Sequence, residues 1–310
     1  GIFRRSRGKI RQRHPRRRGD RGRTLNESAF VAALKALADT PAARGLEDDA
    51  AVLSVGGQQL VLTHDTLVEG VHVRADEDLA DIAWKLVAVN LSDLAAKGAR
   101  PLGVLVSHML GDSDARFIEG LREILGEYDV ALLGGDTVRA EGRRVWGCTA
   151  VGKATHAPAP DRRGARAGDA VFVTGTLGYA MLGLGDCASG SRADLAYRRP
   201  RPLVAEGIAL APHVTAMMDV SDGLLLDAWR LAHASGVELA LDSAQVPVAD
   251  PQKAGECMRW GDDYQLLFTA PTHAALPVAA ARVGMVTGGP TGLSLDGKIF
   301  PDAEGLGYRH

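Results

Sequence analysis

Asp48-Asp49, Asp65, Asp93, Asp136, Asp219 with Asp222, and Asp262-Asp263 form acidic clusters scattered over more than half of the chain. Nearly all follow an apolar run beside a Gly, Ser or Thr. Carboxylates gathered at the ends of secondary-structure elements repel one another and resist ionisation unless cations sit among them. The pattern therefore asks for Mg2+, which binds through one or two carboxylates and usually arrives with phosphates. An isolated aspartate in such a place serves equally as a helix cap or turn residue, and that reading stays open for each cluster taken alone.

The elements that must position these residues are legible from periodicity. Asn26 is a cap candidate ahead of Phe30, Val31, Leu34 and Leu37, which recur at helical spacing. Residues 50–54 and 60–63 flank Gly56-Gly57 and predict a hairpin that carries Asp49 in at one end and Asp65 out at the other. Apolar residues continue at helical spacing from Leu79 to Lys97, with Gly98 as a stop and Asp93 on the last turn. Strands are expected at 102–107, 130–133 and 145–151, with a helix at 114–127. After a Pro, Arg and Gly-rich stretch at 154–168, the pattern restarts. It predicts a strand at 170–174, a glycine-spaced turn and helix to Gly185, and a helix near 203–211. A strand at 215–218 then runs into Asp219-Val220-Ser221-Asp222-Gly223 and a helix to about Ala234. Strands near 237–241 and 265–269 and a helix near 272–283 complete the reading. The alternation implies mixed α/β layers.

The chain has 310 residues, 46% hydrophobic and 24% charged, enough for two domains with ordinary cores. No apolar run approaches the roughly 20 residues that span a bilayer, so a soluble protein without membrane attachment is expected. Cys148, Cys187 and Cys257 have no metal-ligand spacing and leave an odd thiol, which fits a reducing cytoplasm. Residues 1–24 hold ten Arg and Lys9 against Asp20 and are expected to form a disordered basic tail. A start-site extension, a loose polyanion-binding arm and a targeting peptide are all compatible with it, and no specific nucleic-acid partner is inferred.

No Walker A loop and no protein-kinase motif set occurs. Seven motifs instead stand in one order: Leu46-Glu47-Asp48-Asp49-Ala50, Thr63-His64-Asp65-Thr66 running on through Glu69-Gly70-Val71-His72, Asn90-Leu91-Ser92-Asp93-Leu94, Gly134-Gly135-Asp136-Thr137, Val173-Thr174-Gly175-Thr176-Leu177-Gly178, Asp219-Val220-Ser221-Asp222-Gly223, and Gly261-Asp262-Asp263-Tyr264. From about Asn26 onward the chain resembles the thiamine-monophosphate kinase family of the aminoimidazole ribonucleotide synthetase-like superfamily. The resemblance implies a two-domain α/β fold: an N-terminal metal- and ATP-binding sheet domain over 25–152, and a C-terminal α/β domain over 153–310. It implies ATP-dependent phosphorylation of thiamine monophosphate to thiamine diphosphate by direct Mg2+-assisted transfer. Two alternatives are an enzyme of the same superfamily with another acceptor and a weakly active nucleotide- or thiamine-phosphate-binding member.

Residue by residue, the resemblance assigns Asp49, Thr63, Asp65, Asp93, Asp136, Asp219 and Asp222 to several Mg2+ ions. It assigns Gly135, Asp136, Arg162 and Ser221 to ATP, and His72 and Asp262 to the acceptor. No general acid, base or nucleophile is implied, since the attacking phosphate oxygen is already ionised and positioning does the work. A homodimer through strands of the first domain is also implied. The chain departs from the family pattern at Glu47, His64, Trp260 and Asp262. The family's C-terminal aromatic, which stacks near the thiamine, is expected to be missing from a chain that ends at His310.

Overall fold

The computed structural model describes residues 27–185 and 187–309. The basic tail over 1–24 and the cap candidate Asn26 lie outside them. Helix α1 (Glu27–Lys35) leads through a short 3-10 turn into the hairpin β1 (Ala51–Val55) and β2 (Gln58–Val68). There follow α2 (Leu79–Ala96), β3 (Ala99–Met109), α3 (Asp114–Glu127), β4 (Ala131–Val138) and β5 (Val145–Ala154). These strands form one sheet in the order β1-β2-β5-β3-β4, antiparallel except for the β3–β4 pair that α3 connects.

The second half begins with β6 (Asp169–Val173), α4 (Tyr179–Leu184), α5 (Arg192–Arg198), α6 (Val204–Leu210) and β7 (Ala216–Asp219). It continues with α7 (Leu224–Ser235), β8 (Glu238–Leu241), α8 (Ala254–Trp260), β9 (Leu266–Pro271), β10 (Ala281–Thr287), β11 (Gly292–Leu295) and β12 (Lys298–Phe300). Its strands order as β12-β11-β8-β10-β6-β9-β7. The helix expected near 272–283 is absent: Pro271 and Pro277 interrupt the stretch, and the β-branched residues of 281–287 pair between β6 and β8 instead. The short helices α5 and α8 and the strands β10 to β12 escaped the periodicity reading because each is too brief to show a period.

Helix α2 is the central element. Asp78 caps it by accepting from the Ala80 amide at 2.9 Å, and Gly98 ends it in a left-handed conformation at φ 55°. It is apolar on nearly all sides, because the first sheet covers one face and the second half covers another. Leu86, Leu91 and Leu94 are fully buried, each such side chain contributing about 1.5–3 kcal/mol of transfer free energy. Helix α6 packs so closely that a Cβ on Gly207 would stand 2.0 Å from the Ala95 carbonyl oxygen, so only glycine fits there.

The sheets differ in cover. Strands β6 and β7 are buried along their whole length. Every residue of β4 is exposed, and Leu53, Leu105, Leu132, Leu133 and Val145 add uncovered apolar side chains to the same sheet.

Candidate phosphate- and metal-binding cleft

Four chain segments deliver carboxylates to one place. Asp48 and Asp49 precede β1, Thr63 and Asp65 face α2 from β2, Asp93 rides the last turn of α2, and Asp219 ends β7 with Ser221 and Asp222 in the following turn. One oxygen each from Asp49, Asp93 and Asp219 lies within 4.8 Å of the others. Two cavities, of about 720 and 500 Å3, meet on this group, and Asp65, Asp93, Asp219 and Asp222 line both.

Buried polar groups hold the cluster in shape. Asn90 Oδ1 accepts the Asp65 amide at 3.1 Å while its Nδ2 donates to the Leu86 carbonyl at 2.9 Å, tying β2 to α2. Ser92 Oγ donates to Asp219 Oδ2 at 2.6 Å, and Thr63 donates to Asp93. Asp227 accepts the Ser221 and Asp222 amides at 3.1 and 3.0 Å and so fixes the turn before α7. Burial pushes its carboxyl up to about 7 against the pull of Arg230.

Electrostatics show a cluster short of positive charge. Burial, then the neighbouring Asp65 and Asp219, raise Asp93 well above the usual carboxylate range. Burial and then Asp49 do the same to Asp219. Asp65 is pushed up to about 6 by burial, with Asp49 and Asp222 adding to it and His64 opposing. Asp48 behaves oppositely: burial would raise it, but Lys97 at 2.5 Å and Arg44 hold it at about 2.

Asp49 is reached by two cations. Arg162 Nε donates to its Oδ1 at 2.9 Å. Lys97 Nζ approaches Oδ2 at 2.7 Å, off the line of a hydrogen bond, and leaves that oxygen without one. A buried carboxylate oxygen held by an ion pair alone, two neighbours whose carboxyls are pushed up by burial and like charge, and a donor set of hard oxygens fit a small divalent cation, with Asp49, Asp93 and Asp219 as its holders.

The two cavities differ in their walls. The smaller reaches Asp49, Thr63, Arg162, Arg230 and, on the open face of the first sheet, His64 and Thr149. Arg230 Nη1 is paired with Asp222 at 2.5 Å. The larger is lined by His72, Tyr197, Trp260, Asp262 and Tyr308. His72 Nδ1 accepts the Val68 amide at 3.0 Å, so a neutral ring carries its proton on Nε2.

Of the residues expected from sequence, Thr63, Asp49, Asp65, Asp93, Asp219, Asp222, Arg162 and Ser221 surround the cluster, and His72 and Asp262 line the larger cavity. Gly135 and Asp136 are not brought there. They sit on exposed β4, where Asp136 pairs in register with Ser107 on the open face of the sheet, and they line neither cavity. The expectation that a C-terminal aromatic is missing is corrected: Tyr308 folds back, its amide donating to the Asp222 carbonyl at 2.9 Å, and lines the larger cavity with Trp260.

Lys85 and Asp227 were missed, and Asn90, Ser92 and Lys97, which stand in or beside the motif around Asp93, were given no role. Their signal was present as polar residues spaced at helical intervals in otherwise apolar helices, which a hydrophobic-periodicity reading discounts.

The model of the AIR synthase related protein N-terminal domain matches residues 47–154, and that of the C-terminal domain matches 166–290. The thiamine-monophosphate kinase of Caulobacter vibrioides is 40% identical over 79% of this chain and 77% of its own length. That of Escherichia coli K12 is 35% identical over 84% of this chain and 86% of its own. The solved complex of AaThiL with AMPPCP and TMP is 28% identical, covers 95% of this chain and 100% of that one, and has a TM-score of 0.83.

Proposed function

We propose, for a chain that belongs to the thiamine-monophosphate kinase family, that its cleft carries out the ATP-dependent phosphorylation of thiamine monophosphate to thiamine diphosphate. The observation that carries this reading is the meeting of two cavities on one carboxylate wall. Two polyanions have to approach head-on, and the wall lies where their phosphates would meet. An oxygen of the acceptor phosphate attacks the γ-phosphorus of ATP as the bond to the β–γ bridging oxygen breaks, releasing ADP. The attacking oxygen is ionised at neutral pH, so no general base is assigned.

Asp49, Thr63, Asp65, Asp93, Asp219 and Asp222 would hold Mg2+, which would supply charge neutralisation between the phosphates. The chain's own residues do the rest. Arg162, now spent on Asp49, is placed to exchange that carboxylate for a nucleotide phosphate. The turn amides fixed by Asp227 keep Ser221 and Asp222 at the junction of the cavities. Trp260, Tyr308 and Tyr197 offer aromatic surface to a ring system, and His72 and Asp262 offer polar edges.

The same reading includes a homodimer through the first sheet. Its uncovered apolar face, with wholly exposed β4 at the edge, supports it. The smaller cavity runs onto that face at His64 and Thr149, so a partner seated there would close it. Gly135 and Asp136 are read as joining the nucleotide site at this seam. The two units divide near residues 152 and 153, although β5 runs on to Ala154. Among the described residues no helix is long and apolar enough to cross a membrane. A cytoplasmic setting, where ATP is available, completes the reading.

ADP release measured with and without thiamine monophosphate tests the activity. Release that depends on the acceptor is expected, and none with the acceptor present would overturn it. A single-chain mass in light scattering at micromolar concentration would remove the dimer.

A further inference from the structure

The geometry points to Lys85 as the residue that keeps divalent cations out of the acceptor end of the larger cavity. Lys85, Val89 and Asp93 recur every four residues on α2 and all line that cavity. At 1.5 Å per residue the helix thus spaces Lys85 about 12 Å from Asp93. The metal cluster lies at one end of this stripe and Lys85 at the other.

Lys85 is 2% exposed. Its ammonium donates to Asp262 and stands 4.2 Å from the centroid of the Tyr197 ring. Asp262 is held from two further directions. Its backbone amide donates to the Ser221 carbonyl at 2.7 Å, and its Oδ1 accepts from Tyr264 Oη at 2.9 Å. Its own φ is 61°, next to Gly261 at φ 86°, where a Cβ would meet the Ser221 carbonyl oxygen at 2.3 Å. Backbone conformations of this kind persist only where the surroundings over-determine them.

The result is a carboxylate fixed in a cavity that it shares with Asp65, Asp93, Asp219 and Asp222. Burial and then Asp262 raise Tyr264, with Asp65 and Asp219 acting in the same sense, so one hydroxyl feels both the acceptor-end carboxylate and the cluster. An unpaired carboxylate there would be one more hard-oxygen donor, and Mg2+ needs only one or two of these with water filling the rest. A metal at Asp262 would draw the acceptor phosphate to the wrong end of the cavity. Lys85 fills the place with a cation that is tethered to the helix and cannot leave. Lys97 and Arg44 close Asp48 in the same way beside Asp49. Lys85 is thus a positioning residue that acts through Asp262.

The inference rests on the metal-assisted reading above, and its test is read without turnover. Manganese bound by the purified full chain without nucleotide is counted from the loss of the free-ion electron paramagnetic resonance signal. Lys85→Met should bind one further Mn2+ per chain. Lys85→Arg, and Lys85→Met combined with Asp262→Asn, should keep the parental count. The KM for thiamine monophosphate should rise about tenfold in Lys85→Met at excess Mg2+ and recover as Mg2+ is lowered, with the KM for ATP moving less than about twofold. Should Lys85→Met fail to fold, Lys85→Gln keeps a hydrogen bond to Asp262 without the charge and carries the same count. A parental count in the folded charge-free variant overturns the inference. A parent chain that binds Mn2+ yet does not phosphorylate thiamine monophosphate sinks the functional reading alone, and the count still decides this one.

Discussion

In the smaller cavity, carboxylates from separate segments crowd together and are answered by arginines that reach the open space. The larger one shares that carboxylate wall, but at its far end one further carboxylate, Asp262, is already paired and stands beside Tyr197, Trp260 and Tyr308. The first arrangement stores electrostatic repulsion that a proton or an incoming cation relieves; the far end of the second is paired before anything binds. Changes at the first should therefore alter turnover and metal dependence, and changes at the second should alter which acceptor is held and how tightly.

The largest effect is expected at Asp219 and Asp222. Asp→Asn at either position removes a charge while changing volume little. Turnover should fall on the order of a hundredfold or more. Folding should be spared, since Asp219 is already pushed toward its neutral form by burial and Asp49. Near-parental steady-state rates at limiting Mg2+ would return both residues to helix-capping roles.

A smaller effect, different in kind, is expected at the aromatic wall. Trp260→Ala or Tyr308→Ala should raise the KM for thiamine monophosphate about tenfold and leave Mg2+ dependence parental. A fall in kcat with unchanged KM would erase the distinction between the cavities.

The stored repulsion also has a pH signature. Asp65 stands at about 6 in the folded chain, above the roughly 3.9 of an unfolded aspartate. The folded state therefore binds more protons than the unfolded one across that window, and stability falls as pH rises from about 4 to about 6. The melting temperature of the metal-free chain should drop over this range more than that of Asp65→Asn, and Mg2+ should shrink the difference. Equal slopes in calorimetry would remove Asp65 from the repelling set. Least affected of all, a chain lacking residues 1–24 should keep turnover within about twofold, a margin smaller than a single surface hydrogen bond is worth. A larger loss would place that segment at one of the cavities.

How much of this was legible in the sequence follows from range. The hairpin of β1 and β2, the long run of α2 and the turn after β7 are written in local periodicity and glycine placement, so Asp49, Asp93, Asp219 and Asp222 could be placed at element ends, whereas Asp65, expected to follow a strand ending at 63, lies inside β2 because its ladder with β5 continues to Val68. The short strands β10 to β12 carry no usable period, and a stretch read as helix became β10 because its partners lie far away in the chain. The site shows the same limit. Lys85 meets Asp262 and Lys97 meets Asp48 only through tertiary contact, so a lysine in an apolar helix looked like noise. The return of Tyr308 to the larger cavity is likewise a tertiary contact, through the Asp222 carbonyl, that no local pattern announces.

The glycine contact between α6 and α2 sets how such a cleft can move. The Gly207 backbone lies flush against Ala95, two residues from Asp93, and leaves no room for a side chain there. At the opposite end of α2 the halves are joined through side chains, Arg198 and Arg199 to Asp81. With one end of the helix pinned by backbone and the other held by charge, any closure of the cleft would pivot beside the carboxylate cluster and leave the spacing of Asp49, Asp93 and Asp219 unchanged.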